Sequence, residues 1–568
     1  MIILGLGSPF GHDPAASLLV DGELVASAEE ERFVRKKHAF GMPPIHAIRF
    51  CLKKAGITPD QVGHIAYPCR FEAYAENAWP FIRRTWRYNP SRAVKALWKA
   101  SREKKTQTAS LLSWLKLAGI DPDTVKLHFI EHHIAHASSA FHLSGFQHAA
   151  ILTMDAAGEM AATLFADGKK ERVDKIKEFF IPDSLGLFYS TVTDYLGFQR
   201  EDGEYKVMGM APYGKPGEAD VSELIRFDQK GYRVNQEYIW ASRHQRYNPE
   251  KWFSKKMVQR FGPPREGDDL LEPYVHIAAA TQKMLEDVTL TLLDTYLSEP
   301  LKKYDGNLCF AGGCALNVSL NRKLREHPLV KRLFVQPASS DAGTPLGAAT
   351  YVAAQLGETI RPMRHVYLGP EYSQEEIETH LKSSGISYTY YPDIEEVAAS
   401  LLAQGKVVAW FQGAMEFGPR ALGNRSILAH PGKKGIADEV NEQIKYRERW
   451  RPFCPSILPE YAKEILGSDH PAPFMTLSFK VNPSWREKIP EVVHVDGTSR
   501  PQVVVPEANP RFYKLLKKFH QKTDLPVLLN TSLNRRGEPM VCSPQDATAM
   551  FYGCGLEALV MGNCLVKK

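Results

Sequence analysis

The chain has 568 residues, 44% hydrophobic and 24% charged, with 71 Lys and Arg against 65 Asp and Glu for a net charge of +6. Such a composition belongs to a globular chain of several domain-sized units and excludes a disordered polyelectrolyte or a collagen-like repeat; with so small a net charge, any basic surface must be local. Eight cysteines without a C-x-x-C pair exclude a zinc ribbon or a disulfide scaffold and fit a reducing, cytoplasmic setting.

The opening MIILGLGSPFGHD lacks the basic leader and long apolar core of a signal peptide. Residues 1–6 form an apolar run that predicts a strand leading into a loop with Gly5, Gly7 and Gly11. Residues 17–20, the turn Asp21-Gly22 and residues 24–28 then complete the start of a β-meander. Pro44 precedes a helical pattern over Ile45–Ala55. Residues 83–105 hold nine Lys or Arg and one Glu, with Trp86, Tyr88 and Trp98 interleaved. This segment reads either as a solvated helical arm or as a docking surface for an anionic or membrane-surface acceptor. The opening pattern then returns: residues 150–154 run into Asp155-Ala156-Ala157-Gly158, and residues 161–165 into Asp167-Gly168. The repetition, starting near residues 2 and 149, predicts two related lobes. Helices are expected over 270–297 and 345–354. Gly and Pro cluster in 357–372, before a capping-box pattern at Ser373 and Glu376, and set a domain boundary near 362. No stretch approaches the roughly 18 apolar residues of a membrane-spanning helix.

His132 and His136, in EHHIAHASSAF, are spaced i and i+4, which places two imidazoles on one helix face in a manner suited to one metal ion. No Glu lies between them, so the zincin pattern is absent. Asp155 ends an apolar strand beside Gly158, and Asp341 lies in SSDAGTPLGAA. Two His and two Asp make a mixed nitrogen and oxygen set compatible with iron, manganese or zinc; the alternative for either Asp taken singly is a helix or turn cap. The loops AGGCALN (311–317) and GTPLGAA (343–349) permit close backbone approach to a ligand, and neither is a Walker A or a dinucleotide fingerprint. The C-terminal third is rich in loop arginines: Arg420 and Arg425 in EFGPRALGNRSILAHP, Lys445, Arg447, Arg449 and Arg451 in KYRERWRPFCPS, Arg500, and then Asn530 and Ser532 in NTSLNRRGEP. Guanidinium groups bind phosphate oxygens bidentately, so the set predicts a phosphate cradle, against the alternative of a row of surface arginines.

These segments, with GHDPAASLL, EEERFVRKKH and DGEYKVMGMAPYG, occur in the same order as in the O-carbamoyltransferases of the NodU/CmcH/TobZ type, and the chain resembles that family over nearly its whole length. The resemblance implies an α/β protein of two domains. Residues 1–362 would form an ASKHA-type, ribonuclease H-like carbamoyl-transfer domain with lobes of roughly 1–148 and 149–362. Residues 363–568 would form a YrdC-like twisted α/β domain. It implies that the second domain makes carbamoyl adenylate from carbamoyl phosphate and ATP with Mg²⁺, and that the first transfers the carbamoyl group to a hydroxyl of a saccharide or natural-product acceptor. By the same resemblance His132, His136, Asp155 and Asp341 hold a divalent metal, iron in the first instance. Gly158, Lys206, Gly312, Gly313 and Asn317 line the nucleotide site. Arg420, Arg425, Lys445, Arg451, Arg500, Asn530 and Ser532 take carbamoyl phosphate and ATP, and His12 and Lys37 stand on the acceptor side, His12 as a base or as a turn cap beside Asp13. No nucleic-acid partner is expected. The competing readings are threonylcarbamoyl transfer to tRNA, carbamoyl transfer to a protein cysteine, and a non-catalytic nucleotide switch. The charge of the 83–105 arm points to an anionic acceptor such as a lipopolysaccharide core sugar.

Overall fold

A computed structural model describes residues 1–7 and 10–568; Ser8 and Pro9, within the predicted first loop, lie outside the described residues. The chain divides into two units, one formed by Met1–Val25 and Pro43–Met363, the other by Ala26–Met42 and Arg364–Lys568.

The first unit contains two five-stranded sheets of the same design. Strands β1 (Ile2–Gly7), β2 (Ala15–Val20), β3 (Glu23–Glu29), β4 (His64–Tyr67) and β5 (Lys126–Phe129) lie in the order β3-β2-β1-β4-β5. Strand β1 pairs antiparallel with β2 and parallel with β4, and β4 pairs parallel with β5. Helix α1 (His132–Phe141) leads into the second sheet: β6 (His148–Met154), β7 (Ala161–Lys169), β8 (Arg172–Phe180), β9 (Asn307–Ala311) and β10 (Arg332–Val335), in the order β8-β7-β6-β9-β10. Here too the first strand pairs antiparallel with the second and parallel with the fourth. The sequence repeat near residues 2 and 149 thus falls on the first strand of each sheet. Gly5, expected in a loop, lies inside β1.

Helix α2 (Thr344–Gln355) packs on β1, β2 and β4 and also on α1, so the chain returns to the first sheet after completing the second. All ten residues of α1 are buried, as are ten of the twelve in α2. Burial on every side explains why neither helix carries a solvent-facing charged stripe. The helix expected over 270–297 forms at Tyr274–Tyr296.

The second unit is built on one eight-stranded sheet. Its strands are β11 (Thr389–Tyr390), β12 (Val408–Phe411), β13 (Arg425–Ala429), β14 (Cys454–Ile457), β15 (Gln502–Val503), β16 (Val527–Ser532), β17 (Ala558–Met561) and β18 (Cys564–Lys567). Their order is β11-β18-β17-β12-β13-β16-β14-β15. Helices α3 (Ile394–Ala403) and α4 (Pro510–Thr523) pack together over a core that includes Trp410, Leu428, Phe512 and Leu528, all 0% exposed. The capping box forms as the sequence predicts, with Ser373 accepting from the Glu376 amide at the start of Gln374–Ser383.

A division at 362/363 misassigns residues 26–42. Their polar groups are bound within the second unit, because the acidic and basic side chains of EEERFVR find their partners there. The Gly418 amide donates to Glu29 at 2.9 Å, Arg32 donates to the Gly418 carbonyl at 3.0 Å, and Arg35 donates to the Met540 and Pro539 carbonyls at 2.5 and 2.9 Å. Arg32 also pairs with Glu29 at 3.1 Å while 5% exposed, so these charges leave water only because each has a partner. Among the described residues no helix is long and apolar enough to cross a membrane.

Candidate functional site

The first unit brings together all four predicted metal ligands. His132 and His136 project from successive turns of α1, Asp155 directly follows β6, and Asp341 lies in the turn that opens α2. Their ligating atoms lie within 4.8 Å of one another. His136 Nε2 is 2.8 Å from Asp155 Oδ2, and His132 Nε2 is 3.3 Å from Asp341 Oδ1. The two Nε2 atoms face each other at 3.0 Å. Two ring nitrogens at that distance must share a proton, or else both turn lone pairs toward a cation, and the flanking carboxylates favour positive charge in the gap. The donor set therefore fits a first-row divalent ion.

Electrostatics concentrate at the same point. Burial alone would depress the His132 imidazole, but Asp341 and Asp155 outweigh it and hold the group up at about 10. Burial alone would likewise raise the Asp155 and Asp341 carboxyls, yet the facing imidazoles keep both below the usual carboxylate range. His12 joins the cluster, with Nε2 at 3.6 Å from Asp341 Oδ2 and Nδ1 at 3.3 Å from Asp13 Oδ2. Against its burial, these two carboxylates raise it to about 10.

Two residues that sequence reasoning passed over hold this site in place. Glu159, 3% exposed, accepts from the His132 amide at 3.1 Å and the Arg70 amide at 2.7 Å, satisfying an otherwise orphaned N–H at the start of α1. His133 bonds Thr153 on β6 through Nδ1 at 2.6 Å, tying the ligand helix to the strand that delivers Asp155. The only sequence signal for either was its place beside a predicted ligand.

The predicted nucleotide residues separate into two kinds. Gly158, Gly312 and Gly313 surround the cluster. A Cβ at Gly158 would meet His132 Cβ at 2.9 Å, and one at Gly312, which has φ +93°, would meet the Met154 carbonyl at 2.2 Å. At Gly313 it would meet Asp155 Oδ1 at 3.0 Å. These glycines let the backbone close around the ligands. Asn317 departs from the expectation. Its Oδ1 caps Val318–Arg325 by accepting from the Leu320 amide at 2.9 Å, and its Nδ2 donates to Gln282 at 2.8 Å, so its amide is used by the protein. Lys206 is buried, with Nζ 5.2 Å from the Phe198 ring centre.

In the second unit, sheet register gathers the predicted cradle at one end. Strand β13 runs antiparallel to β16 with Ser426 opposite Ser532, and β14 runs antiparallel to β16 with Cys454 opposite Asn530. Strand β15 runs parallel to β14 with Gln502 opposite Ser456. The starts of β13, β14 and β15 and the end of β16 therefore lie together, and with them Arg425, Arg451, Arg500, Asn530 and Ser532. Lys445 arrives at the end of the π-helical turn Val440–Lys445. Wide turns of this kind concentrate at functional sites.

Several of these groups are committed to the protein itself. Arg425, expected to face phosphate, is 0% exposed, donates to the carbonyls of Gln412, Gly413, Asn424 and Pro370 at 2.6–3.1 Å, and stacks 3.8 Å from the Phe411 ring centre. It is an internal strut, because its guanidinium ties the Gln412–Gly413 turn after β12 to Asn424, just before β13, and to Pro370. Lys445 Nζ contacts the Ser532 carbonyl at 2.6 Å, Asn534 Oδ1 at 2.7 Å and the Asn534 carbonyl at 2.9 Å. Burial, together with the charges of Arg447, Arg451 and Lys37, pushes its ammonium well below the ordinary lysine value. Asn534, another residue sequence reasoning missed, also accepts from Ser532 Oγ at 2.6 Å. Asn530 is buried and donates to Ser456 Oγ at 2.9 Å. Arg500 points Nη2 at Cys454 Sγ at 2.9 Å. Arg420 and Arg451 are partly exposed. Lys37, grouped with His12 from sequence, lies in the other unit, where its charge acts on Lys445. The reason is the binding of EEERFVR described above, which carries the residues that follow into the second unit.

Residues 2–350 match the family model described as Carbamoyltransferase N-terminus, and residues 399–568 the one described as Carbamoyltransferase C-terminus. Across all of its length the chain is 38% identical to the Uncharacterized protein sll1178 of Synechocystis sp., covering 96% of that relative. It is 36% identical to the Nodulation protein NolNO of Sinorhizobium fredii, again over the whole chain and 80% of the relative. The Uncharacterized protein MJ1051 of Methanocaldococcus jannaschii is 32% identical over 99% of both chains.

Proposed function

The chain belongs to the carbamoyltransferase family, and from that premise we propose an ATP-dependent O-carbamoyltransferase that divides its chemistry between the two units. In the second, YrdC-like unit, water hydrolyses carbamoyl phosphate to carbamate and inorganic phosphate, and a carbamate oxygen then attacks the α-phosphorus of Mg²⁺-ATP, displacing pyrophosphate and leaving carbamoyl adenylate. In the first, ASKHA-type unit, an acceptor hydroxyl oxygen attacks the carbamoyl carbon and AMP leaves. The acceptor is a saccharide or natural-product hydroxyl, with an anionic sugar such as one of a lipopolysaccharide core as the specific suggestion.

What supports the division is that each unit holds one polar centre of the kind its step needs. The cationic end of the second sheet suits two polyanionic substrates, whose charge must be offset as the phosphorus is attacked. Arg420 and Arg451 bind phosphate oxygens there, while Arg425, Asn530 and Asn534 hold the strands and Lys445 in register. In the first unit His132, His136, Asp155 and Asp341 would hold a divalent ion, which would supply Lewis-acid charge to a phosphate leaving group. Glu159 and His133 fix α1 so that both Nε2 atoms face the carboxylates. His12 receives the proton of the acceptor hydroxyl, which requires a neutral imidazole and hence that the charge of Asp341 be offset.

The test is to incubate the protein with ATP, Mg²⁺ and carbamoyl phosphate, without acceptor, and follow pyrophosphate. Carbamoyl-phosphate-dependent release, lost in Arg420→Ala/Arg451→Ala, is expected. Release that needs threonine and bicarbonate instead would move the reading to tRNA modification.

A further inference from the structure

Residues 78–105 carry a surface that the two-step chemistry does not use. Three of the nine tryptophans are largely exposed, and all three fall here: Trp79 at 71%, Trp86 at 55% and Trp98 at 64%, with Leu97 at 50%. Their placement is regular. Along Ala78–Thr85 and its helical C-cap, Trp79, Arg83 and Trp86 are spaced i, i+4, i+7 on one face, while Ala78, Phe81, Ile82 and Thr85 are buried on the other. Trp98 opens Lys99–Ala118, and Trp98, Arg102 and Lys105 repeat the spacing, with Gln107, Leu111 and Leu115 buried. The first helix packs against the turn Ala96–Trp98, so the two stripes are neighbours.

The cations sort in the same way. Arg84 is paired with Asp183, Lys104 with Glu72, Arg92 lies 3.4 Å from the Trp240 ring centre and Lys99 4.6 Å from that of Tyr74. Arg83, Arg87, Lys95, Arg102 and Lys105 are exposed and form no ion pair among the described residues. Glu103 is the one acidic residue of the segment, and it accepts from Gln107.

Nor does the sheet topology need the segment. In the second sheet the parallel crossover from β9 to β10 is made by residues 312–331, whereas the equivalent crossover from β4 to β5 takes residues 68–125. One lobe closes the same topology without the elaboration that carries the tryptophans.

We propose that this elaboration docks the enzyme on an anionic lipid bilayer. Indole rings on an exposed helix face suit the headgroup level, where an apolar ring and a polar N–H are both accommodated. Five exposed cations outside any ion pair among the described residues lie beside them and match a negative surface, and the pairing of a shallow aromatic face with basic residues is that of a helix lying in the interface plane. The occupant is the lipid surface itself, so the inference stands whichever acceptor is carbamoylated.

The full-length protein is tested by co-sedimentation with phosphatidylcholine vesicles containing or lacking phosphatidylglycerol, at low and high salt, with tryptophan emission as a second readout. The expected result is binding to the anionic vesicles only, weakened by salt, with a blue-shifted emission. Arg83→Glu/Arg87→Glu/Lys95→Glu should weaken it on the order of 100-fold. Trp79→Ala/Trp86→Ala/Trp98→Ala should weaken it roughly 10-fold or more. Acceptor-free pyrophosphate release and melting temperature serve as controls that both variants fold. Absent binding, binding equal on neutral vesicles, or binding unchanged in folded variants overturns the proposal. So does a shift from dimer to monomer in the Trp variant without vesicle binding, which would make the face a contact between copies.

Discussion

The polar centres of the two units use charge in opposite ways. In the first, four titratable side chains from α1, the end of β6 and the start of α2 converge with their ligating atoms turned toward one another, and the two Nε2 atoms lie 3.0 Å apart. In the second, much of the charge is already answered internally: Arg425 by four carbonyls, Lys445 by Ser532 and Asn534. A cluster that turns two imidazole nitrogens and two carboxylates onto one point is built for something that arrives. A buried cation with a full set of acceptors is built for the fold.

That contrast can be broken most sharply at its two extremes. Asp341→Asn or His136→Ala should lower metal retention and carbamoyl transfer by roughly 100-fold or more with little change in melting temperature. Metal analysis and transfer assays on the same preparation check this. Arg425→Met should do the reverse in its own unit, costing about 3 kcal/mol or more of stability because buried carbonyls lose their donor. Arg451→Ala, which gives up a 3.5 Å pair with Glu448, should cost clearly less stability than Arg425→Met while abolishing pyrophosphate release. Equal destabilisation by both arginine variants would erase the distinction between strut and ligand.

The histidines of the ligand helix and its C-cap sharpen the same point. His132, facing carboxylates, is held up; His142 faces Ser138 Oγ, and burial pushes it down to about 4. Its folded value lies below the unfolded one, so the neutral form is favoured in the native state. Stability is complete above about pH 6.5 and is lost as pH falls toward 4, by about 3 kcal/mol in all. Urea denaturation across that range, compared with His142→Gln, should show a flatter dependence in the variant. A smaller effect separates cap from ligand at Asn317. Asn317→Ala should cost about 1 kcal/mol through loss of the cap, and nucleotide affinity should follow stability rather than fall on its own.

How much of this was readable in the sequence depended on whether a residue's role was local. The i, i+4 histidines, the Ser373 capping box and the repeated strand pattern are short-range signals, and each lies where the sequence places it. Arg425 and Arg451 look alike in sequence, in loops rich in glycine, proline and aromatics. Only the pairing of β13 with β12 and β16 turns one inward, to carbonyls of the turn that follows β12. Lys37 and residues 26–42 illustrate a different limit. Chain proximity to β2 suggests the first unit, but the partners of Glu29, Arg32 and Arg35 lie hundreds of residues away. Glu159 carried no motif at all, since its role is to meet an amide delivered by another element.

The most direct test of the division of labour is to measure both half-reactions in Asp341→Asn: carbamoyl-phosphate-dependent pyrophosphate release without acceptor, and carbamoyl transfer with it. Release at the wild-type rate with transfer lost is the predicted result. Release lost together with transfer, or transfer retained by the metal-depleted variant, would contradict the assignment of one step to each unit.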